Sequence, residues 1–125
     1  MMGYKLKTSR KTEAIIDQIE ASEKLSWPTL ARIAIALSIR YGPISPQEMT
    51  LDNAGKELNR TTITGSSDVL FKCLIEAEEG RHLTDDEFFP LYMKCHLDRG
   101  AILLEAEKKY SKDLLIHLTE LESGI

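Results

Sequence analysis

The spacing of apolar residues along this chain changes from two to about three and a half, and the changes mark out its elements. Tyr4, Leu6 and Thr8 alternate with Lys5 and Lys7, the period of a strand covered on one face. Thr12, Ile15, Ile16 and Ile19 then recur at i, i+3, i+4 and i+7, with Glu13, Asp17 and Glu20 as an acidic outer stripe. This predicts an amphipathic helix with Ser9 as its cap. Ser26-Trp27-Pro28 offers a second helix a cap and a first-turn proline, with Trp27 expected to staple the helix entry. From Leu30 to Ile39 only Arg32 and Ser38 are polar. A helix apolar almost all round must be covered on more than one side, and in so short a chain subunit association is the simplest cover.

Gly42-Pro43-Ile44-Ser45-Pro46 ends the second helix and opens a loop to about Gly55. The β-branched run Leu58-Asn59-Arg60-Thr61-Thr62-Ile63-Thr64, closed by Gly65, predicts a second strand. Three helices are expected after it. The first starts at Ser66 or Ser67, buries Val69, Leu70, Cys73, Leu74 and Ala77, and ends at Gly80. The second is capped by Thr84 with Asp85, Asp86 and Glu87 in its first turn, buries Phe88, Leu91, Tyr92 and Cys95, and ends at a Gly100 C-cap. The third spaces Leu103, Ala106, Tyr110, Leu114, Leu118 and Leu121 along one stripe. The fold class is therefore mainly α (α+β), a strand and two helices in ribbon-helix-helix order followed by a short second strand and three helices. At 125 residues the chain is read as a single domain, with a basic arm and strand at 1–11, two helices with the oligomer core at 12–41, and a strand with C-terminal helices at 57–121.

Composition narrows the function classes. With 42% hydrophobic and 29% charged residues, and only 7 Gly and 4 Pro, the chain is neither disordered nor collagen-like. Leu30–Ile39 is half the length of a membrane span, and MMGYKLKTSRK has no apolar core of a signal peptide, so a cytoplasmic protein without membrane contact is expected. Cys73 and Cys95 are read as reduced core thiols. The net charge of −4 is unevenly spread: residues 1–11 carry Lys5, Lys7, Arg10 and Lys11 and no acid, while residues 12–125 hold 12 basic and 20 acidic groups, net −8.

Catalytic chemistry finds little footing. The seven glycines are scattered singly, no CxxC or HExxH spacing occurs, and Cys95 and His96 point in different directions on a helix. The carboxylates fall in caps and outer stripes, so neither enzyme activity, metal nor cofactor is expected. The basic arm is the positive feature: Lys5, Lys7, Arg10 and Lys11 lie beside a helix N-terminus, whose free N–H groups also favour anions, and are read as phosphate contacts. A solubilising terminus is the competing reading. Arg32 and Arg40 are expected to pair with acids, and Asp98, badly placed for the dipole at a helix end, to have a cationic partner in Arg99 or Arg60.

Four blocks carry a family resemblance. They are Lys5-Leu6-Lys7 before the first helix, Leu30-Ala31-Arg32-Ile33-Ala34 through Ser38 in the second, Gly55-Lys56-Glu57-Leu58-Asn59-Arg60 to Gly65, and His96 to Gly100. In their order and spacing, over about residues 4–118, they resemble the DndE family of DNA sulphur-modification (phosphorothioation) proteins. The resemblance implies a small non-catalytic subunit with a ribbon-helix-helix-like core. It also implies a homo-oligomer, a tetramer in the family picture, working beside the proteins that place sulphur on DNA. A basic surface that binds double-stranded, nicked DNA is implied as well, and Lys5, Lys7, Arg10 and Lys11 match that role best, with Arg60 as a second candidate. A helical scaffold without DNA contact and a ribbon-helix-helix transcriptional regulator are the alternatives.

Overall fold

The computed structural model describes residues 4–45 and 52–109. Strand β1 (Lys5–Lys7) runs antiparallel to β2 (Glu57–Asn59), with Leu6 opposite Leu58. Both leucines turn inward and their neighbours face solvent. The ribbon therefore closes within one chain, whereas a ribbon-helix-helix protein pairs this strand between subunits.

Two capped helices follow β1. In α1 (Arg10–Glu23) Ser9 Oγ accepts the Thr12 N–H, and Thr12, Ile15, Ile16 and Ile19 are buried as their spacing predicts. In α2 (Trp27–Tyr41) Ser26 is the cap and Pro28 lies in the first turn. Trp27 is buried at the entry and its indole N–H donates to Asp17 at 2.8 Å.

The cover for α2 comes from its own chain and not, as expected, from a subunit contact. It is packed most extensively by α6 (Lys94–Lys109), which leaves Ala36, Arg40 and Tyr41 exposed. The crossing is close at Gly100, where a built Cβ would lie 1.9 Å from the Ala34 carbonyl oxygen and 2.4 Å from its carbon. Gly100 is thus a packing residue inside a helix and not a C-cap between two helices.

The second and third C-terminal helices are one continuous helical stretch. It begins with α5 (Asp85–Glu87), capped by the reciprocal Thr84–Glu87 pair, and continues through a π-helical turn (Phe88–Met93) containing Pro90 into α6. Within it Phe88, Phe89, Tyr92, Met93, Leu97, Ala101 and Leu104 are buried, while Leu91 and Ala106 are exposed and Leu103 is half-buried. The expected stripe from Tyr110 to Leu121 lies outside the described residues.

Two further expectations are overturned. The run after Asn59 leaves the ribbon and coils into a short helix, α3 (Arg60–Ile63), because Ile63 is buried beneath it and the Arg60 carbonyl accepts both the N–H and the hydroxyl of Thr64. Helix α4 (Asp68–Glu79) turns Phe71 and Ile75 into the core. Val69, Leu70, Cys73, Leu74 and Ala77, the set expected inside, are exposed, so Cys73 is a surface thiol while Cys95 is buried.

Candidate nucleic-acid interface

The basic arm is an ordered element. Beyond β1, Thr8 is fully buried and its backbone continues the pairing: its N–H donates to the Lys56 carbonyl at 3.0 Å and its carbonyl accepts the Gly55 N–H at 2.9 Å. The Thr8 hydroxyl accepts the Lys56 N–H at 2.9 Å. Gly55 is obligatory there, since a Cβ would sit 2.3 Å from the Ser9 carbonyl oxygen. The arm thus passes from ribbon to α1 without a free segment, and Lys5, Lys7, Arg10 and Lys11 all project to solvent from a fixed backbone.

The cations do not share one environment. Lys5 Nζ lies 3.3 Å from Glu57 across the ribbon, and Arg10 Nε lies 3.3 Å from Asp52. Such exposed pairs are weak, of order 0–1 kcal/mol, and open readily for a competing anion. Lys7 and Lys11 have no ion-pair partner among the described residues. Two shallow clefts flank the arm. One, of about 270 Å³, is lined by Lys5, Lys7, Asn53, Glu57, Pro90 and Lys94. The other, of about 470 Å³, is lined by Ser9, Lys11, Thr12, Asp52, Asp98, Arg99 and Ile102.

Three amides at the α1 start, where the sequence reading leaves them free for anions, are used internally. The Ser9 N–H donates to Asp98 at 3.1 Å, the Arg10 N–H to Asp52 at 3.3 Å and the Thr12 N–H to Ser9 Oγ at 3.1 Å. Two carboxylates of the chain therefore already occupy the positive end of the helix. Asp52 is held below the usual carboxylate range by the Ala54 N–H and by Arg10. A phosphate at this end would meet the arm's side chains and compete with Asp52.

Arg60 stands apart from the arm. Its N–H donates to Tyr4 at the ribbon's end, but its guanidinium, 14% exposed, turns under the chain to bind both oxygens of Asp68, at 2.8 and 2.7 Å, and Asp85 at 3.1 Å. It also stacks 4.9 Å from the Phe88 ring centroid. These partners hold both carboxyl groups below their usual range, with Arg60 the leading cause for each.

The other singled-out residues are structural. Arg32 donates to the Ile63 carbonyl at 3.0 Å, not to an acid. Arg99 caps the α2 C-terminus, reaching the carbonyls of Ser38 (2.7 Å), Pro43 (3.1 Å) and Gly42. Asp98, inside α6 and not at a helix end, pairs with Lys94 at 2.6 Å and with neither Arg99 nor Arg60. Lys94 and Asp52 are the site residues missed from sequence. The i, i+4 spacing of Lys94 and Asp98 was the available signal for the first, whereas Asp52 falls in the expected loop, where no spacing marks it. Among the described residues no three His, Cys, Asp or Glu side chains converge to hold a metal, and no helix is long and apolar enough to cross a membrane.

Residues 5–112 match the family model described as DNA sulphur modification protein DndE. No curated protein is significantly similar in sequence. Among solved structures, the chain resembles DndE from Escherichia coli B7A, involved in DNA phosphorothioation modification, at 18% identity and a TM-score of 0.65, over 83% of this chain and 99% of that one. It likewise resembles a glycine-to-lysine double mutant of DndE involved in DNA phosphorothioation, at 18% identity and a TM-score of 0.66, over 82% of this chain and 98% of that one. The likeness extends to the whole fold of both neighbours.

Proposed function

The chain belongs to the DndE family of DNA sulphur-modification proteins, and from that premise we propose that it is a non-catalytic, cytoplasmic accessory subunit that binds double-stranded DNA, preferentially at nicks, through its basic arm. The observation that carries this reading is the presentation of Lys5, Lys7, Arg10 and Lys11 along one continuous backbone path, with Lys7 and Lys11 in ion-pair contact with no described acid. Arg60 is committed to Asp68 and Asp85 and contributes to holding the ribbon's end, not to the contact surface.

One arm offers few contacts. A homo-oligomer, a tetramer in this reading, pools several arms against one duplex, and contact with ~4 to 6 phosphates gives a log–log salt slope near −4 to −5. A nick suits such a surface, because it supplies a flexible step where backbone contacts rather than base edges decide binding. The in-chain pairing of β1 with β2 disfavours the regulator alternative, which needs that strand for an intersubunit ribbon.

The test is a salt-titrated anisotropy comparison of nicked and intact duplexes of one sequence. The variant is Lys5→Ala/Lys7→Ala/Arg10→Ala/Lys11→Ala. Preference for the nick, with affinity and salt slope both lost in the variant, is expected. Absence of binding to either duplex at low salt sinks the reading in favour of a scaffold without DNA contact.

A further inference from the structure

The cleft between the ribbon and the π-helical turn gathers hydrogen-bond donors. Strand β1 packs on Phe88–Met93, and the space beside them, about 270 Å³, has Pro90 on the helical side and Lys5 and Lys7 on the strand. Asn53 and Lys94 extend the polar lining, and among the described residues Glu57 is its one carboxylate. Lys94 is the informative group. Its side chain is 10% exposed, and two of the three protons of its ammonium are committed, to Asp98 at 2.6 Å and to the Asp52 carbonyl at 2.8 Å. The third meets no described acceptor. A charged donor so nearly buried is costly to leave unanswered. The Lys7 ammonium and the Asn53 amide likewise donate to no described acceptor, and Lys5 is held by the weak exposed pair with Glu57. A π-helical turn is itself an irregularity that recurs at functional sites, and this one forms the wall of the cleft.

We propose that this cleft receives a terminal phosphate, the 5′-phosphomonoester of a nicked strand. The proposal rests on the nick-binding reading above and deepens it by naming the group that marks the nick. A monoester suits the cleft better than the diesters of an unbroken backbone. It carries about −1.5 to −2 charges at neutral pH and three acceptor oxygens, more charge and one more free oxygen than a diester. Those oxygens match the three uncommitted donors, Lys7, Asn53 and Lys94, and Lys5 joins them once its pair with Glu57 opens. The volume is also sufficient, since ~30 Å³ per water leaves room for a phosphate group together with several waters. An intact duplex has no terminal phosphate inside it. The cleft therefore turns the strand break into an added contact, whereas Arg10 and Lys11 face diesters on either kind of duplex.

The full chain is titrated at low salt, by fluorescence anisotropy, into three duplexes of one sequence closed at both ends by hairpin loops, with a fluorophore in one loop. One is intact, one is nicked with a 5′-phosphate, and one is nicked with a 5′-hydroxyl. Loop closure makes the nick the sole source of strand ends. Wild type is expected to bind the phosphorylated nick ~5- to 10-fold more tightly than the hydroxyl nick. Lys7→Ala and Asn53→Ala, at exposed positions and with folding checked by circular dichroism, reduce that ratio to below ~2-fold. Lys11→Ala, at the other cleft, weakens binding to both nicked duplexes alike and keeps the ratio. Equal binding of the two nicked duplexes, a ratio that survives Lys7→Ala, or a ratio lost in Lys11→Ala each overturns the proposal. Two nicked duplexes bound equally, yet more tightly than the intact one, overturn the terminal-phosphate site and leave the nick-binding reading standing. Binding to none of the three overturns both.

Discussion

Removing the Asp98 carboxylate is the most severe single perturbation that the candidate site predicts. Asp98 is 8% exposed in the middle of α6 and is the meeting point of three donors. Its Oδ1 accepts the Ser9 N–H at 3.1 Å and the Thr12 hydroxyl at 2.6 Å, and its Oδ2 accepts Lys94 Nζ at 2.6 Å. Lys94, also 8% exposed, keeps one other bond, to the Asp52 carbonyl at 2.8 Å. Asp98→Ala therefore strands a buried ammonium and leaves two donors at the α1 start unanswered. Breaking a buried ion pair from one side costs about 3–5 kcal/mol, and the two hydrogen bonds are not additive with it because all three donors share one carboxyl group. Out of a total stability of ~5–15 kcal/mol, a loss near 4 is about a quarter or more.

The measurement is urea unfolding at 25 °C followed by far-UV circular dichroism, run as a double-mutant cycle with Lys94→Met. The double variant buries no stranded charge. It is expected to be less destabilised than the sum of the singles by at least ~1–2 kcal/mol. Asp98→Ala within ~1 kcal/mol of wild type, or a double variant that loses the full sum, would falsify the view that this pair anchors the arm to α6.

Three further outcomes are expected. Gly100→Ala adds a good helix former inside a helix, which elsewhere stabilises by ~1 kcal/mol. Here the methyl meets Ala34 backbone, so a destabilisation of ~2–3 kcal/mol in the same assay is predicted, and a gain in stability refutes the close α2–α6 crossing. Asp52→Asn removes the exposed carboxylate that competes for Arg10 and should tighten DNA binding about two- to five-fold at low salt in the anisotropy assay; unchanged or weaker binding counts against competition at the α1 start. Glu87 is held down to about 2, mainly by Arg81 and then by the Thr84 N–H. Its folded value lies below its ordinary one, so its contribution is complete above the usual carboxylate range and is lost as pH falls towards 2. A carboxyl carbon titration by NMR should find its midpoint near that value, and a midpoint at an ordinary 4.5 contradicts the Arg81 contact.

What the sequence revealed was local. Ser9, Ser26 with Pro28, and Thr84 with Glu87 mark helix starts because a cap is made within four residues, and the structure has all three. What it concealed depended on distant partners. Thr61, Thr62 and Ile63 favour strand by intrinsic preference, yet burying Ile63 requires a turn of helix there. Gly100 has the look of a helix end until Ala34 is seen against it. In α4, periodicity defines two apolar arcs, and nothing local says which faces inward. The arc with Phe71 and Ile75 fills the core, and the other is left outside. The arm residues were legible as a charge run, whereas the acids that occupy the α1 start beside them, Asp52 and Asp98, arrive from positions 42 or more residues away.

Those acids also explain how a chain of net charge −4 presents a cationic surface. Several of its carboxylates are consumed inside the fold: Asp98 by Lys94, Asp68 by Arg60, Glu23 by Lys108, and Glu76 and Glu79 by the N–H groups of Leu83 and Ile44. Paired with a cation of its own, each of Asp98, Asp68 and Glu23 weighs less on the arm than a count of acids suggests. The described acids in ion-pair contact with the arm's cations are Glu57 and Asp52, which answer Lys5 and Arg10. On the proposed reading, a single chain so arranged holds phosphate weakly and steers it hardly at all from a distance, and affinity comes from the number of arms brought to one duplex. Loss of single cations from the arm should accordingly weaken DNA binding and flatten its salt slope step by step, whereas loss of all four should abolish binding and leave the fold intact.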